Sequence, residues 1–389
     1  MTLSLLPLSY CTNVHPGRTV AEVDAGLEDY TANVRRNLGT DLAAGLWLAR
    51  SVVSEMLATD DSVARFTDRL NERNLSCHTL NAFPFGDFHS ERVKEQVYLP
   101  DWTTTERLDY SIDCATVLAR LMTPGRDGSI STVPLGTTLL PHGDGFIDDC
   151  ARRLIECAIG LERLRDKTGR TIRLAIEPEP LCDLQTTEET VAFFERLRKL
   201  AADDGHLDTV NEFIGVCFDV CHQSIEFEDV AASIAMLNES QIRINKIHIT
   251  CAIELQNPAE NVEARTALAQ YVEPRYLHQT FAKTSSGAIL SRPDLLAEDV
   301  LKSQIDGFMQ ADAWRVHFHV PVNAESLGPL STTRADLKRA LTAVKALPYA
   351  PHLEVETYTW EVLPGESNVS LVDGLTAEVV ATQKLLADL

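Results

Sequence analysis

Two rhythms of apolar positions alternate along the chain. Short runs that are apolar almost throughout lie near residues 5–11, 44–49, 75–81, 129–135, 171–177, 213–219, 244–250, 314–320 and 352–358. Runs of this length and composition predict strands of a parallel sheet that is covered on both faces. Between most of them the apolar positions step by three and four, as on one face of a helix. Residues 146–168 do so through Ile147, Ala151, Leu154, Ala158 and Leu161, and Gly169 follows as the expected left-handed terminator. Residues 187–202 do so through Val191, Phe194, Leu197 and Leu200, and Thr186 with Glu189 predicts a capping box at the start.

Strand–helix alternation at this spacing predicts βαβ units in an α/β fold, and eight of them close a (β/α)8 TIM barrel of about 250 residues. The chain has 389 residues, so insertions are expected. Two are visible, at about 84–128 after the third strand and about 252–313 after the seventh. Nine runs for eight places leave one over, and 314–320 is the expected surplus. No repeat, low-complexity tract or linker divides residues 1–389, which read as a single domain. A doubly wound open sheet is the alternative, but it normally carries a Gly-rich phosphate loop after its first strand. Here that position reads CTNVHPG.

Charge narrows the partners. The net charge is −22, from 35 basic and 57 acidic residues, a field that repels phosphate backbones and anionic lipid. Nucleic acid is therefore not an expected partner. The nine cysteines form no C-x-x-C pair and lie mostly inside apolar runs, as buried hydrophobes of a reducing compartment do. Residues 1–10 lack a basic leader and read as strand rather than signal peptide. No apolar run reaches the length of a membrane span. A cytoplasmic location is expected.

The candidate chemistry sits where the strands end. TIRLAIEPEP, GVCFDVCH, NKIHIT and HLEVETYTW end their apolar runs on Glu177, Asp219, His248 and Glu356. In a parallel barrel the C-terminal strand ends share one mouth. Three carboxylates and one imidazole there suit a divalent Mn, Zn, Co or Mg ion. Taken singly, each reads as well as a strand cap or a surface ion-pair partner; four at corresponding strand ends point to a joint site.

Other residues add to it. Asp219 and His222 form D-x-x-H, which turns both side chains toward the mouth; His222 is a ligand, a substrate contact or a helix cap. His317 and His319, two apart in WRVHFHVPV, share a face of one strand and suggest a second metal or an anion-binding wall, unless the strand is a half-buried edge. Glu179 follows Glu177 between prolines and suits the orientation of a substrate hydroxyl. His15 ends the first strand and is placed at the mouth as a substrate contact. Phe83, Phe85 and Phe88 read more readily as core than as a wall. The chain contains neither G-x-S-x-G nor G-x-x-x-x-G-K-[ST], which argues against a serine triad and a nucleoside triphosphatase.

YCTNVHPG, NAFPFGDFH with VKEQVYLPDWTTTERLDY, SISTVPLG, IEPEP, CFDVCH, YLHQ, WRVHFHVP and HLEVETYTWEVLP together resemble the EboE family, the metabolite traffic proteins of the bacterial ebo operon. The resemblance runs from about Tyr10 to about Pro364. It implies a xylose-isomerase-like TIM barrel, akin to sugar isomerases, ketose epimerases and the endonuclease IV group. The superfamily's Glu, Asp, His, Glu metal pattern falls on Glu177, Asp219, His248 and Glu356. The implied activity is a metal-dependent isomerase or epimerase of a sugar or cyclitol, phosphorylated or not. Glu177 and Glu356 would relay a proton through an enediolate, and His222, His317, His319, Glu179 and His15 would bind substrate. Two alternatives remain open: an endonuclease IV-like multi-zinc phosphodiester hydrolase, and a non-enzymatic barrel that carries a metabolite. A homodimer is compatible with each.

Overall fold

The structure, a computed structural model, describes every residue except 1, 2, 5, 303, 304, 306 and 365–368. Seven parallel strands come first: β1 (Ser9–Cys11), β2 (Ala43–Trp47), β3 (Thr79–Asn81), β4 (Gly128–Thr132), β5 (Ile172–Ile176), β6 (Ile214–Asp219) and β7 (Ile244–Ile249). Six strands of a second sheet follow: β8 (Cys251–Gln256), β9 (Thr280–Lys283), β10 (Ile289–Arg292), β11 (Ala313–Val320), β12 (Ser326–Leu327) and β13 (Leu330–Thr332). The chain then returns as β14 (His352–Val355), which pairs with β7 on one side and β1 on the other and closes an eight-stranded barrel. Leu5, at the start of the first expected strand, lies outside the described residues.

Each barrel strand falls within or one residue beside an expected run, because burial on both faces favours mostly apolar strands, with Asn245, Lys246 and His248 of β7 and His352 and Glu354 of β14 as buried exceptions. The helix Phe146–Thr168 ends at Gly169, whose φ of 69° is left-handed. The helix Thr187–Asp203 starts with the expected capping box between Thr186 and Glu189. All nine cysteines are free and buried. Among the described residues no helix is long and apolar enough to cross a membrane.

The extra mass is distributed unevenly. After β3 the added segment is irregular only to about residue 104, since Thr105–Leu121 is the helix that leads to β4. After β7 it is a structure of its own. Only Thr250 separates β7 from β8, so the seventh barrel strand runs almost directly into the second sheet. That sheet is antiparallel, in the order β10-β9-β11-β8-β13-β12. The surplus run 314–320 is β11, a strand between β9 and β8 rather than an edge. The short helix Val220–Ile225 after β6 packs Cys221 and Ile225 against Ala252 and Phe281 of the second sheet. This contact fixes the sheet beside the barrel mouth.

Candidate metal centre and its cavity

Four strand ends bring four donors together. Glu177, Asp219, His248 and Glu356 each offer an atom within 4.8 Å of the others, and all four are buried. His248 Nδ1 is 2.8 Å from Glu177 Oε1, 2.9 Å from Glu356 Oε2 and 3.5 Å from Asp219 Oδ2. Strand register explains the meeting: Asp219 pairs with His248, and His248 with Glu354, two residues before Glu356.

The electrostatics are those of a crowded acidic pit. Burial pushes the Glu177 carboxyl up. Burial also disfavours ionisation of Asp219, but the imidazoles of His222, His319 and His248 outweigh it and hold this carboxyl low. Glu356 is held below the usual carboxylate range against burial, chiefly by His248. Its Oε1 accepts hydrogen bonds from Asn13 Nδ2 (2.9 Å) and Asn81 Nδ2 (2.8 Å). Glu177 Oε2 and Asp219 Oδ2 are buried with no hydrogen-bond partner. Such orphaned oxygens are costly unless a cation or water satisfies them. Two acceptor oxygens without donors, beside an imidazole aimed at three carboxylates, fit a divalent ion.

Beneath this layer lies a second buried pair. Glu354 Oε1 is 2.6 Å from Lys246 Nζ and 3.4 Å from His248 Nε2, and all three side chains are fully buried. Glu354 Oε2 accepts from Ser9 Oγ at 3.1 Å. The carboxylate occupies the space over Gly45, where a Cβ would come within 1.5 Å of Oε2. The approach of Glu354 to His248 Nε2 is an ion-pair contact without a hydrogen bond. Sequence reading missed Glu354 and Lys246, although each stands two residues from a named candidate ligand and so on the same face of its strand. It also missed Asn13 and Asn81.

Above the four donors lies a cavity that opens toward solvent. Its floor includes Glu177, Glu356, Asn13 and Asn81. Its walls are largely aromatic: Phe83, Phe88 and Tyr98 come from the segment after β3, Tyr276 precedes β9, and Tyr358 follows β14. Phe83 and Phe88 thus line the site, as Phe85 does not. Glu179 also faces the cavity, where Tyr98 Oη donates to its Oε1 at 2.6 Å and burial pushes its carboxyl up to about 8. Among the described residues Lys94 is the one lysine or arginine on the lining, and it is paired with Asp294.

His222, His317 and His319 all reach this cavity and are all buried. The expected alternative of a half-exposed edge strand does not hold. β11 departs from its register with β8 between Val316 and Val320, while the His317 N–H still donates to the Gln279 carbonyl at 2.8 Å. Burial lowers His222 to about 4 and His317 well below the usual range, so both rings are neutral near pH 7.

His15 is not brought to the mouth. The 3-10 turn Thr12–Val14 carries the chain away, and His15 bonds Tyr10 Oη at 2.9 Å and stacks on Tyr30 at 4.3 Å. The residue of that segment that does reach the site is Asn13. His142 pairs with Asp183, and His78 and His352 meet each other, all away from the cavity lining.

No protein-family model matches this chain, and no curated protein does. Solved structures do. A xylose isomerase-like TIM barrel protein from Mycobacterium smegmatis, in complex with magnesium, aligns over 100% of this chain and 99% of its own, at 12% identity and a TM-score of 0.54. A D-tagatose 3-epimerase-like protein aligns over 98% of each chain, at 10% identity and a TM-score of 0.50. At such identities the likeness is one of fold: this chain, like those proteins, is a closed eight-stranded parallel barrel with helices between its strands.

Proposed function

We propose that this protein is a divalent-metal-dependent isomerase or epimerase of an unphosphorylated sugar or cyclitol, and that it belongs to the EboE family. The observation that carries the reading is the convergence of Glu177, Asp219, His248 and Glu356 at the floor of a cavity, with two carboxylate oxygens left without donors. The fold is shared with an epimerase-like protein and with a magnesium-bound barrel, which supports the same class.

An ion held by the four residues would act as a Lewis acid toward a substrate carbonyl. The rest of the chemistry belongs to the chain. Glu356, kept ionised by His248 and oriented by Asn13 and Asn81, is the group suited to take a proton from the carbon beside the carbonyl. The C–H electron pair moves into an enediolate. Glu177, whose carboxyl burial pushes up, is suited to return a proton, to the neighbouring carbon in an isomerase or to the opposite face in an epimerase. The aromatic walls exclude water and lie against the apolar faces of a ring. Lys94, the one lysine or arginine on the lining among the described residues, is already paired with Asp294, which favours an uncharged substrate.

The test is solvent exchange. Metal-loaded protein is incubated in D2O with neutral ketoses, aldoses and inososes, and deuterium at carbon is read by mass spectrometry. Exchange into one class, abolished by Glu356→Gln and Glu177→Gln, is expected. No exchange with any of them, with metal demonstrably bound, refutes the reading and leaves a carrier barrel.

A further inference from the structure

We propose that the substrate of this cavity carries an apolar substituent, a short alkyl or aryl group joined to one oxygen of its polar ring, and that the outer half of the cavity binds it. The inference rests on the sugar or cyclitol reading above and narrows its substrate class.

The cavity is divided by chemistry. Its inner half is polar: Asn13, Asn81, Glu177, Glu179, Gln279 and Glu356 line it, and all are buried. So many donors and acceptors suit a ring that bears oxygens on adjacent carbons. The outer half is apolar. Pro84, Val93 and Val97 line it from the segment after β3, and Tyr276 and Leu277 from the segment before β9. Val97, Leu277 and Tyr358 are half-buried, which places them at the rim.

The polar atoms of these walls are already engaged. Lys94 pairs with Asp294, Tyr98 Oη donates to Glu179 at 2.6 Å, and Tyr276 Oη donates to the Phe88 carbonyl at 3.3 Å. Among the described residues of the outer half, Tyr358 Oη is the one polar side-chain atom left for a ligand. A free hexose or inositol carries hydroxyls all round its ring. With one edge on the floor, its opposite edge would face Val93, Val97 and Leu277. A hydroxyl desolvated there without a partner weakens binding by about tenfold or more. Aromatic walls alone would not carry the inference, since a sugar stacks on them through its C–H faces. Proline, valine and leucine side chains offer a hydroxyl nothing, whereas an alkyl or aryl group leaves water for them favourably.

The apolar cleft is formed in advance. The N–H groups of Val93 and Lys94 both donate to the Arg275 carbonyl, at 2.9 and 3.1 Å. These bonds join the wall after β3 to the wall before β9, so neither has to be ordered by the ligand. Beyond the rim Pro84, Phe88, Val93 and Val97 border a surface groove that also takes in Asp87, Arg92 and Gln96. Polar side chains return there, which limits the substituent to a short group.

The experiment is calorimetric titration of metal-loaded full-length protein with neutral ketoses, aldoses and inososes, each beside its mono-O-butyl and mono-O-benzyl ethers at each hydroxyl in turn. A buried methylene is worth about fourfold in affinity, so a butyl ether at a half-open rim should bind about 10–100-fold more tightly than its parent. Val97→Asp and Leu277→Asp put a carboxylate on one wall each and should cut that gain to about threefold or less. An ether that binds where its parent does not also supports the proposal. A parent that binds, with every ether equal or weaker, overturns the substituent and leaves the sugar or cyclitol reading intact. A gain kept in both variants places the apolar group elsewhere and overturns the proposal as well. Binding of neither parents nor ethers overturns both readings. Val97→Ser and Leu277→Ser replace any aspartate variant that does not fold.

Discussion

Gly45→Ala adds one methyl group to the chain, at the wall of the buried charge pair under the candidate metal ligands. The added carbon would sit 1.5 Å from Glu354 Oε2 and 2.5 Å from its Cδ. To reach ordinary contact the carboxylate must retreat by roughly 2 Å. That retreat breaks the 3.1 Å bond from Ser9 Oγ and strains the 2.6 Å pair with Lys246. Among the described residues Lys246 has two other hydrogen-bond partners, the Leu80 carbonyl and Ser131 Oγ, each at 3.3 Å, and its side chain is fully buried. Separating one partner of a fully buried pair costs about 3–5 kcal/mol. The displaced carboxylate also leaves its 3.4 Å ion-pair contact with His248 Nε2, which should weaken ion binding. The assay is urea unfolding of the metal-free protein, read as a shift in midpoint at unchanged slope, with metal affinity measured by calorimetry. Gly86→Ala is the control, because a Cβ there meets nothing within 4 Å. A Gly45→Ala protein within about 1 kcal/mol of wild type, with unchanged affinity, would refute the idea that Glu354 is locked in place by the missing side chain.

Three further outcomes follow from particular contacts. Thr186→Ala removes the side-chain half of the capping box on Thr187–Asp203 and should cost about 1 kcal/mol in the same unfolding assay. Glu226 is pushed up to about 8 by burial, reinforced by Glu228 and Glu189, and its Oε1 has no hydrogen-bond partner. Its folded form keeps a proton that the unfolded chain releases above the ordinary carboxyl range, so this group makes stability fall as pH rises from about 4.5 to about 8. Glu226→Gln should therefore match wild type at pH 4 and exceed it at pH 8, by about 1–2 kcal/mol once partial exposure is allowed for; equal stability at both pH values counts against the assignment. Divalent metal at a hundredfold excess over its Kd should stabilise the wild type by about 2.7 kcal/mol, and chelator should reverse it. Glu177→Gln should lose most of that gain, as scanning calorimetry would show.

The barrel was legible because its strands obey a local rule. A strand covered on both faces is mostly apolar, and LAI and VCF, with the mixed runs IHI and HLEV, announce themselves without reference to anything distant. The four candidate ligands were legible for a related reason: a charged residue at the end of such a run has only the mouth to face. The second sheet was less legible. β8 continues the apolar run of β7 after Thr250, so NKIHITCAIEL reads as one long strand. Its partner β11 lies far along the chain, with Ala313 opposite Gln256, and antiparallel pairing across such a gap leaves no periodic trace. His15 was misplaced because the end of a strand was taken as the mouth, whereas a single 3-10 turn carried the ring to Tyr10 and Tyr30. Glu354 and Lys246 went unnoticed because buried charges inside a strand look like exceptions until their partner across the barrel is known.

The position of β8 gives the inserted sheet a role that a cover alone would not need. A cover requires only to lie over the mouth, and a flexible loop would serve. Here the sheet starts just beyond His248, after Ile249 and Thr250, and its central strand returns His319 beside Asp219, with His317 next to His319. One strand path thus carries a barrel donor and anchors the face that bears the two additional imidazoles. Displacing the sheet by the length of one hydrogen bond would move those rings relative to Asp219, while Glu177 and Glu356, held by other barrel strands, would stay. The fold therefore permits the inserted histidines to be altered without dismantling the barrel donors, but it does not permit Asp219 to change without affecting both groups. The side chain that both groups approach is Asp219, whose Oδ1 accepts from the backbone amide of His222 and whose Oδ2 has no hydrogen-bond partner.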